Sequence, residues 1–349
     1  MKSFRLYQSH VMARYGMGLV LHPFRSRFAQ ACIAATIGLA TLVAPLVQAQ
    51  TAYPSKPITL IVPFPPGGPT DLVARVLAQK MGEQMGQQII VDNRGGANGN
   101  IGSALVAKAQ PDGYTVLYNT SSIVLSPSLY KSLTYDVQRD LAPVGLSATV
   151  PLGLVVHPSL PVNNAKEFIA YAKTNPGKLS YGSAGSGNIT HLGAYQLLQA
   201  NGIDAMHVPY KGSAPADADL VSGQIQFMTD TVNSVASFVR DKRMRLLAVT
   251  TPKRIELFPD VPTLAEAGFP GLEVSAWQGL MVPAKTPEPV IKRLNEEMSK
   301  ALQNPDVQKK LAAQGAIPLG STPAEYGAYV KSELARWSKI VKQTGVTLD

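Results

Sequence analysis

Cysteine is nearly missing from this 349-residue chain, which has one, Cys32, and none after it. Disulfides, thiolate metal sites and cysteine nucleophiles are therefore excluded from residue 50 onward. Acidic residues are missing from positions 1–49, where Lys2, Arg5, Arg14, Arg25 and Arg27 are the only charges, and Phe28 to Val47 carries none. A basic region, an apolar run and the small residues around Val47-Gln48-Ala49 follow the order of a cleaved secretory signal. The competing reading is a single membrane anchor, because the run is about as long as a bilayer needs. Pro45 and the Ala, Thr and Gly that dilute the run favour a signal over residues 1–49. A lipid-anchoring cysteine would follow the run, and Cys32 does not. A soluble, exported mature protein starting near Gln50 is expected, with Met12 and Met17 as alternative translation starts.

The function classes that need a local motif are also poorly represented. Five of the formal +9 charges lie in the leader, and the +4 that remains is scattered among Asp and Glu. Nucleic-acid binding needs a concentrated basic face, so it is not expected. His157, His191 and His207 are too far apart in sequence for a local metal motif. A phosphate-loop lysine motif and a dinucleotide glycine fingerprint are lacking. In Gly182-Ser183-Ala184-Gly185-Ser186-Gly187 no serine has glycine at both minus two and plus two, as a hydrolase elbow requires. No catalytic residue, cofactor or metal is assigned, and no internal repeat or low-complexity segment is found. A periplasmic hydrolase using Ser183 or Ser186 remains an alternative of a different class.

What is present is an alternation of short β-rich runs with segments of helical period. Ile58–Val62, Gln88–Val91 and Thr115–Tyr118 read as strands. Leu72, Val73, Val76, Leu77 and Met81 fall on one helical face between the first two, and Ile101, Leu105 and Val106 mark a helix before the third. That βαβαβ start implies a parallel sheet covered by helices. A second α/β unit follows from Leu154–His157, with strands at Leu179–Tyr181, Ala205–Val208, Ile225–Met228 and Leu246–Val249. Asn164 and Glu167 resemble a capping box for a helix reaching Asn175. Pro287, Pro305 and Pro323 stand where the C-terminal helices could begin.

Three loops at the carboxyl ends of strands break this rhythm, and that is where open α/β sheets hold ligands. The first contains Phe64, Pro65, Gly67, Gly68, Thr70 and Asp71. Asn119, Thr120 and Ser121 form the second, and Ser183, Ala184, Ser186, Gly187, Thr190 and His191 the third. A glycine turn feeding a helix leaves N–H groups unpaired beside the positive end of the helix dipole, a ready site for a carboxylate. Plain turn chemistry accounts for any one such loop taken alone. Neither the first nor the third loop contains Lys or Arg, so neutral donors are expected to hold the anion, with Lys211 and Arg94 as rivals.

Several longer motifs resemble one family across the chain from Tyr53 to the C-terminal helices. They are Ile61-Val62-Pro63-Phe64-Pro65-Pro66-Gly67-Gly68-Pro69-Thr70-Asp71, Asp92-Asn93-Arg94, Pro111-Asp112-Gly113-Tyr114, His207-Val208-Pro209-Tyr210-Lys211-Gly212 and Trp277-Gln278-Gly279-Leu280. In these the chain resembles the Bug proteins, also called tripartite tricarboxylate transporter substrate-binding proteins. The resemblance implies a two-lobed α/β periplasmic binding protein of type 2, with two crossover strands and a cleft between the lobes. Lobe 1 would comprise residues 50–152 and 275–349, and lobe 2 residues 153–274. It implies that the first and third loops grip a small organic carboxylate from opposite lobes, with Tyr210 and Asp230 in the cleft and Trp277 near the return crossover. The implied partners are that carboxylate and integral-membrane permease subunits, the receptor itself being a monomer. A sensory adaptor presenting the solute to a histidine kinase is the other reading of such a receptor. Gly95 in place of a usual Pro, Asn98 in place of a frequent Gly, and Asp217 where an apolar residue is common depart from the pattern and leave the ligand open.

Overall fold

The computed structural model describes residues 53–348. The proposed leader and its cleavage site lie outside them. Among the described residues no helix is long and apolar enough to cross a membrane.

The chain opens with β1 (Ile58–Val62), α1 (Pro69–Met85), β2 (Ile89–Asn93), α2 (Asn100–Ala107) and β3 (Thr115–Thr120). β1 is parallel to both β2 and β3 and lies between them. Its near-continuous apolar run suits a strand covered on both faces. Pro69 starts α1, and Gly86, in the left-handed region at φ 67°, ends it. β3 runs two residues further than its apolar pattern predicts. Asn119 and Thr120 are strand residues paired with Gly279 and Gln278, not loop residues beyond the strand.

Next come α3 (Ser122–Leu129), the single turn α4 (Val137–Asp140) and β4 (Leu141–Val156). β4 is 16 residues long, whereas the sequence pattern marks only its last three, Leu154–Val156. Pro143 and Pro151 punctuate the apolar pattern while the strand continues through both. Then follow α5 (Ala165–Thr174), β5 (Ser180–Ser183), α6 (Ile189–Asn201), β6 (Met206–Pro209), α7 (Ser213–Ser222), β7 (Phe227–Thr231), α8 (Val232–Arg240) and β8 (Arg245–Val249). Asn164 caps α5 by accepting from the Glu167 N–H, as its spacing predicts, but the Glu167 carboxylate accepts from the Asn163 N–H and Asn164 Nδ2 and not from the Asn164 N–H, so the expected capping box is half formed. The chain closes with β9 (Ser275–Pro283), α9 (Glu288–Gln303), α10 (Pro305–Ala313), β10 (Ile317–Pro318) and α11 (Pro323–Thr344). Pro287 is the N-cap of α9, Pro305 and Pro323 occupy the first turns of α10 and α11, and Thr322 with Glu325 forms a full capping box.

β4 organises the sheet. Leu141–Pro151 pairs antiparallel with β9, which in turn pairs with β3, so the first half runs β2-β1-β3-β9-β4. Leu152–Val156 lies between β7 and β8, and β7 continues through the parallel strands β5 and β6. One strand thus belongs to two half-sheets and changes neighbours between Pro151 and Leu152. Separate apolar clusters cover them: Val62, Leu77 and Met298 lie in one cluster of the first half, Phe168 and Phe227 in one of the second. Trp277, Leu152, Leu192 and Tyr326 form part of a cluster that bridges both.

Candidate functional site

The first loop is built by its own polar side chains. Asp71 is buried, and its carboxylate accepts from the Gly67 N–H (2.9 Å), Arg75 Nε (3.0 Å) and Asn93 Nδ2 (2.9 Å). Asn93 also donates to the Phe64 carbonyl, and its Oδ1 accepts from Arg75. Burial raises the Asp71 carboxyl, but the hydrogen bonds from Arg75, Gly67 and Asn93 outweigh it and hold the pKa below the usual value. The Asp92-Asn93-Arg94 motif therefore acts on the loop through Asn93, a role its spacing in sequence does not reveal. Arg94 turns to Asp92 at 3.0 Å. Gly95 fits because a Cβ there would stand 3.3 Å from Pro65. With Gly67 occupied and Pro69 lacking an N–H, Thr70 and Asp71 keep first-turn N–H groups without an intrahelical acceptor.

The 183–191 loop follows the same plan. Ala184 N–H donates to Thr190 Oγ1 (2.9 Å), which also contacts Asn188 Oδ1, and Gly187 N–H donates to His191 Nδ1 (3.1 Å). Ser183 Oγ donates to the Gly185 carbonyl or shares its proton with His207 Nε2 at 2.7 Å. Asn188 caps α6 by accepting from Thr190 N–H. The hydroxyls of Ser183 and Thr190 are thus spent inside the loop. Ser186, half-buried, is the loop hydroxyl with no hydrogen bond among the described residues, and the N–H groups of Ile189 and His191 open the helix beside it. Gly187 has φ +72°, and a Cβ there would meet Leu129 Cδ1 at 2.7 Å and Leu348 at 3.0 Å. This loop therefore closes against α3 and the C-terminal segment.

Beneath it, the His191 and His207 rings stack at 3.8 Å, with Tyr181 4.9 Å from His207. Burial, then the neighbouring His207, depresses His191 to about 3, and burial depresses His207 to about 4. Both imidazoles are neutral at ordinary pH, and the Gly187 donor fixes the His191 proton on Nε2. The Ser183–His207 contact has the distance of a nucleophile and base, but the serine is fully buried and offers no face to a substrate.

The 119–121 segment adds a donor. Asn119 Oδ1 accepts from Tyr326 of α11 at 2.9 Å, which leaves its buried Nδ2 as a donor with no partner among the described residues. Thr120 Oγ1 lies 2.8 Å from Ser122 Oγ, and Ser121 N–H donates to the Trp277 carbonyl. Tyr210 sends its hydroxyl to Asp219 at 2.7 Å, while its N–H donates to the Ser183 carbonyl. Gly212 N–H reaches the Ala184 carbonyl, so Lys211 is anchored on both sides to the 183–184 strand end. Asp230 is buried at the end of β7, where Ser213 and Thr231 donate to its Oδ1. Tyr326 shapes the site from an element distant in sequence and had no local signal, whereas Asn93 and His207 lie in motifs that carry the family resemblance but reach the loops through contacts their spacing does not reveal.

Comparison with known proteins decides the family. The tripartite tricarboxylate transporter family receptor profile matches residues 73–346. The chain belongs to this receptor family. A relative described as a UPF0065 protein in the tcbD-tcbE intergenic region of Pseudomonas sp. (strain P51) is 44% identical over 83% of this chain and 87% of its own length. Protein BugT of Bordetella pertussis is 39% identical over 91% of this chain and 98% of its own. Among solved structures, the periplasmic binding protein BugD has 38% identity and a TM-score of 0.75, covering 84% of this chain and 99% of its own. An R. palustris protein with adipate has 37% identity and a TM-score of 0.78, with the same coverages. MatC from Rhodopseudomonas palustris, with bound malate, has 33% identity and a TM-score of 0.74, covering 83% of this chain and all of its own. The receptor has the two-lobed α/β fold of periplasmic binding proteins.

Proposed function

We propose that this receptor captures a small mono- or dicarboxylate in the periplasm, after cleavage of its leader near Ala49, and delivers it to integral-membrane permease subunits. Residues 50–152 with 275–349 form one lobe and residues 153–274 the other, with the ligand between them and the protein monomeric. The observation that carries this reading is the unspent donor set at two helix starts: the N–H groups of Thr70 and Asp71 at α1, and Ser186 with the N–H groups of Ile189 and His191 at α6. Asn119 Nδ2 adds a further donor without a partner among the described residues. Phe64, Pro65, Gly67, Gly68, Ala184 and Gly187 shape the walls. Asp71, Ser183, Thr190 and Tyr210 hold the loops in place, a supporting part that their hydrogen bonds favour over direct contact. The adipate and malate held by two relatives support a carboxylate as the ligand class.

Neutral donors suffice energetically. A hydrogen bond to a charged group contributes roughly 1.5 to 3 kcal/mol, and micromolar affinity needs about 8.2 kcal/mol net. Native mass spectrometry of freshly purified protein, followed by calorimetry with adipate, malate and monocarboxylates, tests the proposal. A retained carboxylate, or micromolar binding of one class, is expected; esters or amides consumed in turnover with no carboxylate bound would defeat it.

A further inference from the structure

A pair of carboxylates lies at the second-lobe end of the site, and the capture of a ligand as described above leaves it unused. Asp230 ends β7 fully buried, its Oδ1 accepting from Ser213 Oγ at 2.9 Å and from the Thr231 N–H and hydroxyl. Asp217, 3% exposed, lies one helical turn beyond Ser213 on α7, and its Oδ2 accepts from Ser234 of α8. The other oxygens, Asp217 Oδ1 and Asp230 Oδ2, are buried and have no hydrogen-bond partner among the described residues. An unpaired buried carboxylate is costly, and two neighbouring carboxylates cannot both ionise without strong repulsion. A single proton on the pair relieves both costs, because the protonated member is neutral and its hydroxyl is a donor.

We propose that Asp217 and Asp230 share one proton and act as a positioning pair. Through Ser213, Thr231 and Ser234 the pair ties together the starts of α7 and α8, the helices that follow β6 and β7 at the ligand end of the second lobe. Ligand capture is thereby linked to the proton content of the pair. This rests on the carboxylate-receptor reading. Burial, and then the Asp230 charge, raises the Asp217 carboxyl; burial raises Asp230 against the bonds from Ser213 and Thr231.

The other charged and titratable groups on the surrounding elements do not neutralise the pair. On α7, Asp219 is taken by Tyr210. β5 carries Tyr181, stacked on His207, and α8 carries Arg240 in its last turn, over the Phe258 ring. His157 follows β4 and contacts Ser159, and Arg245 of β8 donates to the Leu160 and Val162 carbonyls. Lys211, between β6 and α7, forms no ion pair among the described residues and is exposed. A carboxylate ligand adds negative charge to this end of the lobe and so favours the protonated pair. Binding should take up a fraction of a proton, and affinity should fall as pH rises through neutrality.

Two measurements test this separately. Carbon-13 NMR of aspartate-labelled, ligand-free protein reads the pair without any ligand. The two carboxyls should titrate together near neutral pH, and the Asp217→Asn or Asp230→Asn variant should return the survivor toward the ordinary carboxylate range. Two carboxyls that both titrate below about pH 5 in the native protein overturn the proposal. Calorimetry with adipate and malate, at two pH values either side of neutrality and in buffers of different ionisation heat, reads the linkage. Affinity should weaken roughly three- to tenfold from the lower to the higher pH, with net proton uptake. The slope should vanish in Asp217→Asn and persist in Asp217→Glu. Binding with neither slope nor uptake overturns the positioning role. If neither acid binds while the shared titration is present, the pair stands and the carboxylate reading fails instead.

Discussion

Ser186 and Thr190 lie four residues apart in one loop with the same hydroxyl chemistry, and the fold separates their roles. Thr190 Oγ1 already accepts from Ala184, whereas the Ser186 hydroxyl is unspent. Ser186→Ala should therefore weaken carboxylate affinity by roughly tenfold with the melting temperature unchanged, since a bond to a charged group is worth about 1.5 to 3 kcal/mol. Thr190→Val should act first on stability, by about 1 to 3 kcal/mol, because it strands the Ala184 N–H. Calorimetry beside thermal melts separates the two. The buried rings give a pH prediction. His191 and His207 are held to about 3 and about 4 by burial, below the unfolded value near 6.5, so the unfolded chain takes up protons first. Their contribution to stability is complete above about pH 6.5 and drains as pH falls toward those values. The raised Asp217 and Asp230 have the opposite sign: their contribution is complete below about pH 3.8 and is lost as pH rises through their folded-state values. Melts should show a flatter acid limb in His191→Gln and a steeper one in Asp217→Asn; unchanged limbs in both would contradict the assignment.

The 183–191 loop and α3 meet at a contact with no slack. Gly187→Ala should impair ligand capture, since a Cβ at positive φ would stand 2.7 Å from Leu129, and adding Leu129→Ala should restore part of the affinity by clearing that space. Calorimetry on the single and double variants checks this, and absence of rescue would assign the defect to backbone strain or direct ligand contact. At this scale the sequence was a partial guide. Glycine and proline mark the loops, and 3.6-residue periodicity finds α1, because both are local signals. Asn93 holding Phe64, and Tyr326 holding Asn119 across 207 positions, carry no local signal, since each is a polar residue whose partner is set by the tertiary fold. β4 was seen only in its apolar end. Its first two-thirds contains Pro143, Gly145 and Ser147, and register shifts accommodate the irregular stretch.

At the scale of the molecule, β4 and β9 run side by side where the half-sheets meet, and two further contacts span the same region. Tyr195 of α6 donates to the Gln343 carbonyl, and Arg336 donates to the Glu273 carbonyl. Under the proposed function a ligand touching both loops favours a closed arrangement about these strands. Small-angle scattering with and without a saturating carboxylate whose binding calorimetry has verified should show a smaller radius of gyration when bound, and superimposable profiles would mean that the lobes are fixed. The sharing of β4 also governs the order of assembly. Tyr118 of β3 meets Gln278 of β9 across 160 positions, so the first half-sheet keeps an open edge until β9 has emerged, while the strands and helices between β4 and β9 can pair among themselves. Contacts so distant in sequence slow folding through the entropy of closing the loop. The nascent chain consequently stays incomplete for most of its synthesis, with the middle α/β unit the part able to form first.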